Sequence, residues 1–132
     1  TIIPGDDTIP QNTEGAQYMS LEITPNNASN KLLIEVHAMG AVSAGNEFFT
    51  LALFQDTTAN ALAAIQTETS NLTSRSESIS LNHYMTTGTT SSTTFKVRMS
   101  GASGTFTFNG NGGSRLFGGV MASTITISEI RE

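Results

Sequence analysis

The chain has no cysteine and no tryptophan, only three prolines, and few charges of either sign. Without cysteine there is no disulfide framework and no thiolate metal site, so stability must come from packing, hydrogen bonding or assembly. Charged residues make up 13% of the sequence. The six basic ones (Lys31, Arg75, Lys96, Arg98, Arg115 and Arg131) are scattered through a chain of net charge −5. Holding nucleic acid by its phosphates needs clustered Lys and Arg, and this composition argues against it. No apolar run approaches the ~20 residues of a membrane helix, which argues against insertion in a bilayer. The longest, Phe48 to Phe54, has strand length and holds Thr50. The opening Thr1-Ile2-Ile3-Pro4 lacks an initiator Met and a basic-then-apolar signal pattern. It predicts a mature form or a piece of a longer protein.

What the chain has in quantity is period-two alternation. Over 132 residues, the size of one domain, apolar side chains recur at every second position. Met19, Leu21 and Ile23 share a face opposite Ser20, Glu22 and Thr24. Leu32 to Met39 and Glu47 to Gln55 carry apolar residues on both faces, which predicts central strands covered on both sides. Ser78 to Met85 sets Ile79, Leu81, His83 and Met85 against Ser80, Asn82 and Tyr84. Thr93 to Met99 sets Phe95, Val97 and Met99 against Lys96 and Arg98. Thr105 to Phe108 is a short run, and Ser123 to Ile130 places Ile125, Ile127 and Glu129 on one face. Ala59 to Gln66 reads as a strand or a single turn.

Breakers punctuate these runs at Pro25-Asn26-Asn27, at 43–46, at Thr87-Gly88, at Gly101 to Gly104 and at Asn109 to Gly113. The Gly101–Gly104 connector predicts a hairpin between its flanking runs. Together these features predict an all-β fold, an antiparallel, jelly-roll-like β-sandwich of about eight strands. Residues 1–17, pinned by Pro4 and Pro10, form an extended N-terminal arm or stalk junction, and residues 18–132 the sandwich. Two further segments do not read as strands. One is the Asn109–Gly113 loop. The other is Leu116-Phe117-Gly118-Gly119-Val120-Met121, where paired glycines among large apolar residues predict a bulge or close backbone approach and a subunit contact.

The two ends of the chain resemble a known family. The opening Ile3-Pro4-Gly5-Asp6-Asp7-Thr8-Ile9-Pro10-Gln11-Asn12-Thr13-Glu14-Gly15 is similar to the start of C-terminal domains in phage and prophage fibre-like proteins. Ile23-Thr24-Pro25 and Leu32-Leu33-Ile34-Glu35 resemble the block that follows it. Phe108-Asn109-Gly110, Gly113 to Gly119, Ser123-Thr124-Ile125 and Ser128-Glu129-Ile130 resemble that family's close. The middle, about residues 55–92, matches only in general character. The resemblance implies a β-sandwich tip of a virion protein on an extracellular particle, commonly a homotrimer after a collagen-like or coiled stalk. It implies attachment to host-surface glycans or other receptors, or decoration of a capsid beside other virion proteins. It brings no catalytic residues and no cofactor.

The residues themselves offer limited chemistry. His37 and His83 lie on separate strands without HxH or HExxH spacing, so hydrogen-bonded strand histidines are expected rather than metal ligands. No GxSxG elbow marks a nucleophile, and no pair among the dispersed carboxylates stands out for glycoside cleavage, so a polysaccharide-degrading tip is the weaker alternative. Asp6-Asp7 lacks a calcium-loop pattern and suits amide capping or an ion pair with a neighbouring chain. The candidate ligand contacts are Asn109, Asn111 and Arg115, whose amides and guanidinium match sugar hydroxyls or carboxylates, with Tyr84 for stacking on a ring. An ordinary turn, or an Arg115 salt bridge between subunits, is the competing reading. Leu116, Phe117, Gly118, Gly119 and Met121 are the candidate subunit interface.

Overall fold

A computed structural model describes residues 1–44, 47–69 and 75–132. Among these described residues ten strands follow one another: β1 (Ala16–Ile23), β2 (Lys31–Val42), β3 (Phe48–Gln55), β4 (Ala63–Glu68), β5 (Glu77–Thr86), β6 (Thr93–Gly101), β7 (Phe106–Phe108), β8 (Gly110–Asn111), β9 (Ser114–Arg115) and β10 (Thr124–Ile130). All pairings between them are antiparallel. One sheet runs β1-β6-β3-β4 and the other β10-β2-β5, with β7 also on β2. From β1 to β7 the chain crosses between sheets at every step except the β3–β4 hairpin, the habit of a jelly-roll-like sandwich.

Alternation builds the interior as expected. Leu32, Ile34, Val36 and Ala38 of β2 meet Phe49, Leu51 and Leu53 of β3 and Phe95, Val97 and Met99 of β6, with Ile79 and Leu81 of β5 completing the layer. Each of the larger of these side chains removed from water contributes roughly 1.5–3 kcal/mol before entropy is charged against it. The Ala59–Gln66 ambiguity resolves as strand only from Ala63, where β4 begins.

Three expectations need correction. First, Gly101 to Gly104 does not close a hairpin. Both hydrogen-bonding edges of β6 are occupied, by β1 and β3, so the chain leaves that sheet and β7 pairs with Gly40 to Val42 of β2. Second, the two double-sided strands differ. Thr50, Ala52 and Phe54 on the outer face of β3 are buried, whereas on β2 Glu35 and His37 face solvent and Leu33 and Met39 are only half-buried. What covers β3 is the arm. Ile3 packs against Ala52 and Phe54, its amide donates to Ser100 Oγ at 2.8 Å, and Asn12 and Ala61 extend backbone bonds across the surface. No equivalent segment crosses β2 among the described residues. Third, the paired glycines make neither a strand bulge nor a close approach to another backbone: residues Phe117–Gly119 form a 3-10 turn, and beyond it only the Arg115 side chain comes near Gly119. The 43–46 break lies partly outside the described residues.

The edge of β2 is shared in a way that sets up the rest of the molecule. β10 covers it from Lys31 to His37, and β7 covers it from Gly40 to Val42, in the same direction. They are two pieces of a single interrupted strand. Residues 109–123 leave the sheet at the gap and return to it.

Candidate functional site

That excursion starts and ends at Met39. The Asn109 amide donates to Met39 O at 2.9 Å, and the Met39 amide donates to Ser123 Oγ at 3.1 Å. Ser123 Oγ in turn donates to Asn109 Oδ1 at 2.5 Å. Asn109 adopts φ +55°, a left-handed conformation that Asn tolerates better than most residues. The break in the ladder is therefore stitched at both ends, so the segment between them stands on a fixed base.

Within the excursion, β8 and β9 form a small hairpin whose turn, Gly112-Gly113, has φ +59° and +84°. Two successive positive φ angles match the right-handed twist of flanking strands and favour glycine at both positions. Arg115 is exposed beyond it, its guanidinium beside Gly119. Phe117, Gly118 and Gly119 follow with φ +56°, +64° and +96°. For a bulky aromatic this is a strained backbone, and it turns the Phe117 ring outward, 72% exposed, beside Val120 at 86%. Leu116 and Met121 are half-buried beneath.

The proposed ligand contacts are only partly brought together. Asn109, Asn111 and Arg115 share the excursion, but the Asn109 carbonyl is committed to Ser123. Tyr84 lies elsewhere, 55% exposed on the outer face of the β10-β2-β5 sheet opposite Leu33. Leu33 is six residues along β2 from Met39, about 20 Å at strand spacing. Of the subunit-contact candidates, Phe117, Gly118 and Gly119 are exposed and contiguous, and no neighbouring atom lies within 4 Å of where a Cβ on Gly118 would sit.

The other candidates take quiet roles. His37 Nδ1 lies 3.0 Å from Ser80 Oγ on the outer sheet face. His83 faces the interior and has no hydrogen-bond partner among the described residues. Asp6 Oδ1 caps the Thr8 amide at 3.0 Å. Tyr18 sits at a bulge in β1, stacked on Phe108 at 4.8 Å and edge-on to Phe106 at 5.5 Å, and burial pushes its phenol above the usual range. Glu129 closes the far end of β10. The Asn30 amide at 2.6 Å and the Asn26 and Asn27 backbone amides hold its carboxyl below the usual carboxylate range.

One feature escaped the reading of the sequence. On the outer face of β6, half-buried Lys96 and Arg98 line a cavity of about 130 Å³ with Asn12, Gln17, Phe54 and Asp56. The signal was there as the only two basic residues spaced by one position, on a face already marked polar. Nothing in the alternation says that the arm walls them in. Comparison with protein-family models and with curated proteins finds no match for this chain.

Proposed function

We propose that this chain is a non-enzymatic attachment domain of a fibre-like virion protein, a homotrimer on the particle surface that contacts host-surface glycans. The supporting observation is the 109–123 excursion. A rigid sandwich interrupts one of its own edge strands, clamps both ends of the gap at Met39, and uses the intervening residues to present Arg115 and Phe117 to solvent. Loops positioned by a rigid scaffold are where recognition concentrates. A single sugar contact on so small a surface is weak, and three copies on one stalk multiply it through effective concentration. The resemblance of the chain's two ends to fibre-tip domains points the same way.

The test pairs sedimentation with binding. Analytical ultracentrifugation is expected to show a trimer, and the trimer is expected to bind cells or a glycan array. A monomer that binds no glycan overturns the reading. The exposed apolar pair Phe117 and Val120 favours a second reading, in which the excursion serves subunit or capsid contact only and the domain decorates or caps a larger assembly. That version predicts a trimer silent on every glycan.

A further inference from the structure

From the surroundings of Lys96 and Arg98 we infer a second binding site, for the carboxylate of an acidic sugar, on the face opposite to that of Tyr84. The inference rests on the attachment reading for its ligand class and on local geometry for its place. Lys96 and Arg98 are alternate residues of β6, so their side chains leave the same face about 7 Å apart. Both are half-buried. Among the described residues, neither is ion-paired to a carboxylate. Lys96 Nζ donates to the backbone oxygen of Asp56 at 2.9 Å, and Arg98 donates from Nε to Glu14 O at 2.6 Å and from Nη2 to Gly15 O at 2.7 Å. These contacts fix both cations in position. They leave Arg98 Nη1 and two of the three Lys96 ammonium hydrogens without a partner among the described residues.

Two like charges held side by side at a half-buried surface favour uptake of an anion, and a fixed guanidinium binds a carboxylate through charge-assisted hydrogen bonds. Asp56 is the one acidic side chain lining the cavity among the described residues, and it is turned to other work. Its Oδ1 accepts from the Thr94 amide at 2.8 Å and its Oδ2 from Thr93 Oγ1 at 2.8 Å. The local balance thus stays positive within an acidic protein. Side-chain amides at Asn12 and Gln17 border the same space and supply the directional donors and acceptors that sugar hydroxyls need. The size restricts what enters. A cavity of about 130 Å³ is smaller than the roughly 300 Å³ where whole-ligand pockets begin, so it takes the acidic group while the rest of the saccharide lies along the surface.

The arm makes this site. Asn12 belongs to it, and Arg98 is oriented by the arm's carbonyls at Glu14 and Gly15.

The test is a titration of the full chain, followed by amide resonances and calorimetry, with a glucuronate-terminated disaccharide, its neutral glucose counterpart and inorganic sulfate. The acidic disaccharide is expected to shift Asn12, Gln17 and Lys96 and to bind on the order of tenfold or more tighter than the neutral one, less so at high salt. Lys96→Gln is expected to abolish that preference while leaving the melting temperature near its original value, since the residue makes one exposed hydrogen bond. Lys31→Gln, which removes the same charge from the other sheet, is expected to bind unchanged. Equal binding of acidic and neutral sugars, or shifts confined to the 109–123 excursion, overturns the site and leaves the attachment reading intact. Sulfate competing as tightly as the disaccharide overturns the saccharide assignment. Glucuronate shifts at Lys96 together with silence on every glycan array support the cavity and overturn the attachment reading instead.

Discussion

At the residue scale, the most exposed decision in the sequence is Phe117. A left-handed conformation costs a side-chain-bearing residue about 1–2 kcal/mol relative to glycine, and the exposed ring recovers none of that within the chain. Phe117→Gly is therefore expected to raise the stability of the isolated protomer by about 1 kcal/mol in denaturant titration, while weakening whatever contact the ring makes in an assembly. Glu129 gives a pH prediction. Its folded-state value lies below the unfolded one, so its contribution is complete above the ordinary carboxylate range, roughly pH 4, and is lost as pH falls through the lowered value. Glu129→Gln is expected to flatten the acid limb of the stability profile below the ordinary carboxylate range, read by thermal melts as pH is lowered. Tyr18 works in the opposite direction. Burial raises its value, so the stability tied to its neutral form holds below about pH 10 and declines above it. Tyr18→Phe is expected to remove that alkaline loss with the ring stacking on Phe108 retained.

At the scale of elements, what the alternation could and could not say is clear from particular strands. It named both faces of β3, β5, β6 and β10 correctly because burial in a sheet repeats every second residue. It also marked residues 116–121 as something other than strand, but it read 109–113 as a plain loop where Gly110–Asn111 pairs with Ser114–Arg115 in a small hairpin. It failed at Gly101 to Gly104 because pairing partners are set by which edges remain open, a non-local matter that turn chemistry alone does not reveal. It overstated the cover on β2, since Leu33 and Met39 look apolar in sequence but rest half-exposed beside Glu35 and His37. The docking of the arm against β3 was not legible, because only Ile3 among its residues becomes fully buried. That docking has a measurable weight. Ile3→Ala removes a side chain 2% exposed and is expected to cost about 2–3 kcal/mol, the low end for such truncations because the arm can settle into the space. Hydrogen exchange should then show faster opening at Ala52 and Ser100 than in the core of β2.

At the scale of the whole molecule, the chain balances a low charge against a surface rich in hydroxyls, so association depends on shape and a few apolar contacts more than on long-range steering. If protomers assemble through the excursion, the melting temperature is expected to rise with protein concentration, because assembly stabilises the folded form by mass action. Phe117→Gly is expected to abolish that concentration dependence while preserving the protomer fold by circular dichroism. A concentration-independent melt in the unaltered chain counts against the trimer directly.

The interruption between β7 and β10 has a practical corollary. Phe108 pairs with Gly40 and Thr124 with His37, so two residues opposite Ala38 and Met39 are all the ladder needs to run unbroken. Everything else between them is, in engineering language, a cassette. Its exposed stretch from Gly112 to Ser114 is expected to tolerate lengthening or rewriting with the sandwich interior unchanged, and peptides grafted there inherit a ready-made platform.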